Sequence, residues 1–300
     1  MAGPAGPPGR GTTARHGEVG MKLLVFGRTG QVATHLQEHP GVTALGRDRA
    51  DLADPEACAA AIRAARPDAV INAAAYTAVD RAEEEEALAL RINADAPGAM
   101  ARAAADLDVP FLQVSTDYVF DGTGDAPRAP DAACAPLNAY GRTKLAGERA
   151  VREAGGRHAI LRTSWVFSAH GGNFVKTMLR LSETRDAFSI VDDQVGGPTP
   201  ADGIANALVV MARAMADGQG GGTYHYAGQP AASWACFARE TFRAAGRDVA
   251  VTGIPTAEYP TPAARPLNSR LDCTGLTADF GIPPADWRAA LVRIVKELTS

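Results

Sequence analysis

Tyr140 and Lys144 stand four residues apart in Tyr140-Gly-Arg-Thr-Lys144, a spacing that puts a phenol and an ammonium on one face of a helix. A free phenol titrates near about 10, too high for ready proton exchange at neutral pH, and a neighbouring positive charge favours phenolate and lowers that value. Such a pair can supply a proton to a carbonyl oxygen as hydride reaches the carbonyl carbon. The same spacing also occurs by chance on solvent-facing helices. Ser115-Thr116 favours the chemical reading, because these hydroxyls fall at the C-terminal end of the strand before that helix. Ligands of open α/β sheets bind at such strand ends, and a hydroxyl there can polarise the same carbonyl.

A second constellation opens the chain. Gly27-Arg28-Thr29-Gly30-Gln31-Val32-Ala33 reads G-x-x-G-x-x-A between an apolar run and a helical segment. Small residues at such a turn let the backbone approach a pyrophosphate at the helix N-terminus, where free N–H groups and the helix dipole favour anions; Ala33 keeps helix and strand close. At the end of the next strand, where a site selective for NAD commonly carries an acid for the ribose 2′-hydroxyl, the chain has Leu45-Gly46-Arg47. Arg47 suits a 2′-phosphate, which favours NADPH with NADH also accepted, although Asp48 can still serve a ribose and Arg47 can simply be solvated. Asp51-Leu52 follows at a spacing suited to an adenine contact. Trp165, just past a strand end, reads equally as core or as a lining residue.

Other chemistries find little support. His16, His35, His39, His158, His170 and His225 show no metal-ligand spacing, no G-x-S-x-G elbow is present, and Cys58, Cys134, Cys236 and Cys273 form no C-x-x-C pair. No metal is expected, since a phenol rather than a metal would act on the ketone.

The elements that must position these groups follow from patterning. KLLVF, VTAL, AVINAA, FLQVS and AILRTS are short apolar runs, and between them lie helical candidates over Gln31 to His39, Pro55 to Arg66 with Asp54 as N-cap, Ala94 to Leu107, and Ala139 to Glu153. Strands joined by crossover helices give an α/β fold, a Rossmann-like doubly wound parallel sheet, whose strands are covered on both faces and therefore unbroken in hydrophobicity. After Trp165 the pattern loosens. A helix over Asn173 to Glu183, strands near Phe188 to Val191, Thr223 to Tyr226 and Val249 to Ile254, helices through Ala207 and after Ser233, and a last helix from Ala285 suggest a smaller mixed α/β substrate domain. The expected layout is a disordered Gly/Pro-rich tail over 1–20, a dinucleotide-binding domain over 21–168 with later returning segments, and a substrate domain over 169–300 interleaved with it. Met21 is a possible true start. Glu83 to Glu86 reads as a solvated helix face.

At 300 residues with 46% hydrophobic content the chain can bury a substantial core. A formal charge of −4 with dispersed Lys and Arg gives no footprint for nucleic acid or an anionic membrane, and no apolar run is long enough to span a bilayer. A cytoplasmic enzyme of a small molecule is the expectation.

Eight ordered blocks resemble one family, the dTDP-4-dehydrorhamnose reductases of the extended short-chain dehydrogenase/reductase type. They are GRTGQVA at Gly27, RPDAVINAAAYTAVDRAE at Arg66, STDYVFDG at Ser115, APLNAYGRTKLAGE at Ala135, LRTSWVF at Leu161, GGNFVKTMLRL at Gly171, DDQVGGPT at Asp192 and YPTPAARPLNSRL at Tyr259. The resemblance implies that Gly30, Gln31 and Val32 bind the cofactor pyrophosphate, Asp51 and Leu52 its adenosine, and that Ala73, Ala74 and Ala75 line the next strand end. It implies a catalytic set of Thr116, Tyr140 and Lys144, with Tyr140 as proton donor and Lys144 holding the nicotinamide ribose. Substrate contacts would come from Thr116, Asp117 and Trp165, and a guanidinium among Arg265, Asn268 and Arg270 would meet the diphosphate of a dTDP-4-keto-6-deoxy sugar. Ala33 departs from the usual third glycine. Where some members place a magnesium-holding glutamate at a dimer interface, the first helix here has His35, so metal-linked dimerisation is not expected; a monomer or homodimer both remain open. Relatives that act as non-catalytic regulatory subunits, and reductases of other dTDP-4-keto-6-deoxyhexoses, are the competing readings, against which stand the intact RTSWVF, DDQ and RPLNSRL blocks.

Overall fold

The computed structural model describes residues 20–300; the tail expected over 1–20 lies, but for Gly20, outside the described residues. In chain order the first part runs β1 (Leu23–Phe26), α1 (Gln31–Leu36), β2 (Val42–Leu45), α2 (Pro55–Ala65), β3 (Ala69–Asn72), α3 (Glu86–Leu90), α4 (Ala96–Asp106), β4 (Phe111–Thr116), α5 (Ala139–Glu153) and β5 (His158–Thr163). The later part adds β6 (Val166–Phe167), α6 (Phe174–Leu181), β7 (Ala187–Val191), β8 (Val195–Gly196), β9 (Thr199–Pro200), α7 (Ala201–Ala216) and β10 (Gly222–His225). It closes with β11 (Gly228–Gln229), β12 (Ala232–Ser233), α8 (Trp234–Ala244), β13 (Ala250–Ile254), β14 (Asn268–Ser269), α9 (Thr274–Phe280), β15 (Ala285–Asp286) and α10 (Trp287–Thr299).

Six strands form one parallel sheet in the order β2-β1-β3-β4-β5-β10. The chain runs outward from β1 to β2 and then restarts on the other side of β1 with β3, so the strand order reverses between β1 and β3 and a crevice opens there at the strand ends. Helices α1 and α7 cover one face, where Leu23, Val25, Ile71 and Leu161 meet Ile204, Leu208 and Met211; α2 and α4 cover the other, over Leu24, Phe26, Val70 and Ile160. Burial on both faces is why these strands read as unbroken apolar runs.

Helix boundaries follow side-chain caps. Asp54 accepts from Ala57 N at 3.0 Å and Asn138 accepts from Gly141 N at 2.8 Å, which fixes α2 and α5 where Ser, Thr, Asp or Asn caps predict. Several expected boundaries shift, among them the last helix, which starts at Trp287 because Ala285 and Asp286 pair as β15. The first helix stops at Leu36 rather than His39, because Glu38 N and His39 N bond three residues back, to His35 O and Leu36 O, as tight turns ahead of Pro40-Gly41. The helix expected from Ala94 starts at Ala96, after a π-helical turn over Arg91–Asp95.

The later part is built of short pairings: β7 with β13, β8 between β12 and β14, β6 with β9, and β11 with β15. Phe167, Phe237, Trp287, Leu291 and Val295 make its core. The strand expected at Thr223 to Tyr226 is β10, and it belongs to the six-stranded sheet beside β5, reached through α7. No helix among the described residues is long and apolar enough to cross a membrane.

Candidate active site

The crevice at the β1/β3 switch is a cleft of about 710 Å³ lined from three strand ends: Gly27 to Gly30 after β1, Leu45 to Asp48 after β2, and Ala73 to Thr77 after β3, with Ala50, Asp51, Leu52 and Ile92 closing it. Gly27 sits at φ +113°, in a conformation L side chains rarely adopt, and a Cβ there would lie 3.3 Å from the Ala33 Cβ. Gly30, the N-cap of α1, is exposed, and a Cβ there would meet nothing within 4 Å, so no side chain crowds the start of the helix. A cleft of this volume, with a side-chain-free rim at a helix start, fits a dinucleotide. Val32 is in the core and can offer only its N–H, and Gln31 turns its side chain away to accept from Asn173 Nδ2 at 3.0 Å. Arg47 is exposed on the cleft rim, with no ion pair among the described residues. Asp51 accepts from Ala53 N at 3.0 Å, and Leu52 is buried. Arg28 was not singled out from the sequence. It lines the same rim, its Cδ 3.5 Å from where a Gly46 Cβ would be, so two guanidinium-bearing residues flank Gly46.

Beyond the cleft lie Thr116 at the end of β4 and Tyr140 and Lys144 on the first turns of α5. Helix α5 approaches closely because Gly141 has no side chain: a Cβ there would stand 2.2 Å from Tyr118 O. The Tyr140 ring meets Tyr118 edge-on at 5.5 Å and shares a small cluster with Tyr76, which also lines the cleft. Asn93, in the π-helical turn, accepts from Tyr76 N at 2.8 Å and donates to Thr143 Oγ1 at 3.1 Å, tying the cleft wall to α5. π-Helical turns often sit at such places.

Burial, and then the charge of Asp117, push the Tyr140 phenol above its ordinary value, with hydrogen bonding from Thr116 acting the other way. This corrects the expectation that Lys144 lowers it. The Lys144 Nζ is buried and donates to Val114 O at 2.7 Å, and burial pulls its own pKa down to about 8, with Glu148 acting against that shift. Thr116 Oγ1 donates to Asp117 Oδ1 at 2.9 Å. Asp117 is buried with Oδ2 unpartnered, and burial raises its carboxyl to about 6 against hydrogen bonds from Ser269 and Thr116. Trp165 adopts φ +48°, rare for a non-glycine, and stacks on Trp234 with ring centroids 3.7 Å apart.

One layer behind, Glu148 and Arg162 form a fully buried pair. Arg162 Nε donates to Oε1 at 2.8 Å and its Nη2 to Oε2 at 2.7 Å, while Ser115 Oγ donates to Oε1 at 2.7 Å. Burial works to raise the Glu148 carboxyl, but Arg162 and Ser115 hold it below the usual range. Nothing in the spacing of Ser115, Glu148 and Arg162 points to this triad. The acids of Glu83 to Glu86 are also not a plain solvated face: Glu83 accepts from Ala139 N at 2.8 Å, at the start of α5, and Glu86 accepts from Arg142 Nε at 2.8 Å.

The segment expected at a diphosphate is placed differently. Arg265 forks onto Asp80 at 2.8 and 2.7 Å, Asn268 donates to Ala126 O at 2.8 Å, and Arg270 donates to Asn268 Oδ1 at 3.0 Å. The guanidinium of Arg265 is thus taken up by an internal pair.

A dinucleotide-sized cleft at the switch point of a parallel sheet, with a phenol and a hydroxyl at the next strand end, defines the class as a nicotinamide-dependent oxidoreductase of the short-chain type. Residues 21–300 match the family described as RmlD substrate binding domain. The chain is 46% identical to the dTDP-4-dehydrorhamnose reductase of Sinorhizobium fredii, covering 92% of this chain and 97% of that one. It is 41% identical to that of Escherichia coli K12, covering 93% and 98%. Among solved structures, the dTDP-4-dehydrorhamnose reductase of Bacillus anthracis in complex with NADP superposes with a TM-score of 0.86 at 33% identity, covering 92% of this chain and 99% of that one. The chain belongs to the dTDP-4-dehydrorhamnose reductase family.

Proposed function

We propose that this chain reduces the 4-keto group of dTDP-4-dehydro-β-L-rhamnose with NADPH, releasing dTDP-β-L-rhamnose. The observation that carries the reading is the buried Tyr140 phenol on α5, placed near Thr116 at the end of β4 and next to the dinucleotide-sized cleft. The names of the similar proteins supply the substrate.

Bound NADPH would supply hydride to the ketone carbon. Tyr140 then delivers its proton to the carbonyl oxygen as that oxygen becomes basic. Thr116 orients the carbonyl, Asp117 and Trp165 flank the sugar, and Lys144 holds the nicotinamide ribose. Gly27, Gly30, Gln31 and Val32 cradle the pyrophosphate by their backbone, Asp51 and Leu52 hold the adenosine, and Ala73 to Ala75 line the cleft. The direct test is to incubate the protein with the dTDP-4-keto sugar, its epimerase and NADPH and to identify the product. A sugar other than dTDP-L-rhamnose, or none, overturns the reading.

Two expected results follow from the charges around the site. Arg47→Ala should weaken NADPH by more than NADH, measured as separate dissociation constants, because only the former carries a 2′-phosphate for the guanidinium to meet; equal losses would remove Arg47 from that role. The second concerns pH. Lys144 is charged below its pKa and neutral above it, so kcat/KM should fall as pH rises through about 8. A profile level well beyond that pH would show that the ammonium charge is not needed.

A further inference from the structure

We propose that His35, Glu38 and His170 form a binding site for a transition-metal dication of the Zn2+ type, which pins helix α1 to the turn that follows β6. One ligand atom from each of the three lies within 4.8 Å of the other two. His35 Nδ1 stands 3.0 Å from Glu38 Oε1, one helical turn apart, and the His170 ring centroid is 5.2 Å from that of His35. Zn2+ held at about 2.0–2.1 Å by nitrogen and oxygen ligands sets those atoms roughly 3.3 Å apart, so the first pair already has the separation required. The remaining closure falls to Glu38 and His170, of which Glu38 is exposed and free to swing.

The surroundings are organised as a metal site requires. The second ring nitrogen of His35, Nε2, is 3.0 Å from Ser168 Oγ, and Ser168 is fully buried. The same oxygen accepts from His170 N at 3.1 Å, so one hydroxyl sets both imidazole-bearing residues. A ligating histidine needs this kind of partner on its other nitrogen to fix its tautomer and orientation. In the tautomer protonated at Nδ1, that proton serves Glu38 and Nε2 accepts from Ser168. With metal, Nδ1 presents its lone pair and Nε2–H donates to Ser168, a reversal that a hydroxyl accommodates because it both donates and accepts. The turn itself is anchored: Asn173 Nδ2 donates to Ser168 O at 2.7 Å and Lys176 Nζ to Ala169 O at 2.9 Å.

Two imidazoles and one carboxylate select for Zn2+ or its first-row neighbours, whereas Mg2+ prefers oxygen ligands and water. Three protein ligands leave a fourth position for water. The ion would join α1, which begins at the cleft, to the part of the chain outside the six-stranded sheet.

The test titrates Zn2+ into chelator-treated full-length protein against a chromophoric competitor. Saturable uptake of one equivalent is expected, unaffected by excess Mg2+ and accompanied by a rise in Tm. His170→Gln should weaken uptake by at least about tenfold and Ser168→Ala by about 10- to 100-fold. Co2+ added to the wild-type protein should develop the intense visible bands of four-coordinate cobalt, a readout that depends on no variant being folded. Absence of saturable uptake, equal uptake by His170→Gln, displacement by Mg2+, or a cobalt spectrum like that of the hydrated ion would each overturn the site.

Discussion

Tyr140→Phe should lower kcat by about 10²- to 10⁴-fold, the usual contribution of a positioned general acid, while NADPH affinity stays close to wild type. The change removes one oxygen from a ring that packs edge-on against Tyr118 and lies against Ala82, Ala89 and Ala139, so the ring keeps its packing partners. Only the proton that must reach the carbonyl oxygen is lost. Single-turnover rates and cofactor titrations on the same preparation separate the two effects. Wild-type turnover of the dTDP-4-keto sugar by this variant would remove Tyr140 from the proton-donor role. No turnover by the wild-type protein, with intact cofactor binding, would favour the regulatory-subunit reading.

Glu148→Gln should destabilise the protein by about 3–5 kcal/mol, the range for breaking a buried pair on one side, because the Arg162 guanidinium is left charged and uncompensated in the core. Both side chains are almost wholly buried, and the carboxylate also takes the Ser115 hydroxyl, which lies one residue before Thr116. Equilibrium urea unfolding reads the loss directly. Replacing both partners, as Glu148→Leu with Arg162→Met, should recover much of it, since two apolar groups strand no charge. A loss under about 1 kcal/mol for the single variant would show that solvent or a neighbour such as His225 relieves the charge. His225 Nε2 stands 3.4 Å from Arg162 Nη1, and burial and then Arg162 hold its pKa down to about 3, so it offers a neutral lone pair but no countercharge.

The parts of this fold legible in the sequence are those where local chemistry decides. Helix α5 is legible over Ala139–Glu153, where the structure adds the Asn138 cap, and the early strands are legible because parallel strands covered by helices read as short, mainly apolar runs. What pairs across long separations was not legible. Strand β10 reads as a short strand of any domain, and only the crossover through α7 brings it beside β5. Helix α9 went unread because TGLTADF is short and its one fully buried side chain, Leu276, gives no periodicity. The site divides the same way. Gly27, Gly30 and the Tyr140–Lys144 pair announce themselves by spacing. Arg28 does not, because it sits among the variable positions of the glycine turn, nor does Arg265, whose partner Asp80 is 185 residues away. His35 and His170 show no ligand spacing in sequence and meet only because the turn after β6 folds back onto α1. The direction of the Tyr140 shift also depends on three dimensions: sequence puts Lys144 one turn away, but only the fold shows the phenol buried near Asp117.

The stack of Trp165 on Trp234 has an optical consequence. The chain has three tryptophans, Trp165, Trp234 and Trp287, and none lies in the six-stranded sheet or its covering helices α1, α2, α4, α5 and α7. Two indoles 3.7 Å apart and only 12° from parallel couple their electronic transitions, so the near-ultraviolet circular dichroism should carry an exciton signature belonging to that one contact. Tryptophan emission then reports on the aromatic cluster beyond the sheet, while tyrosine signals come from both parts. A spectroscopist following unfolding by the two fluorophores would be watching two different regions of the same molecule.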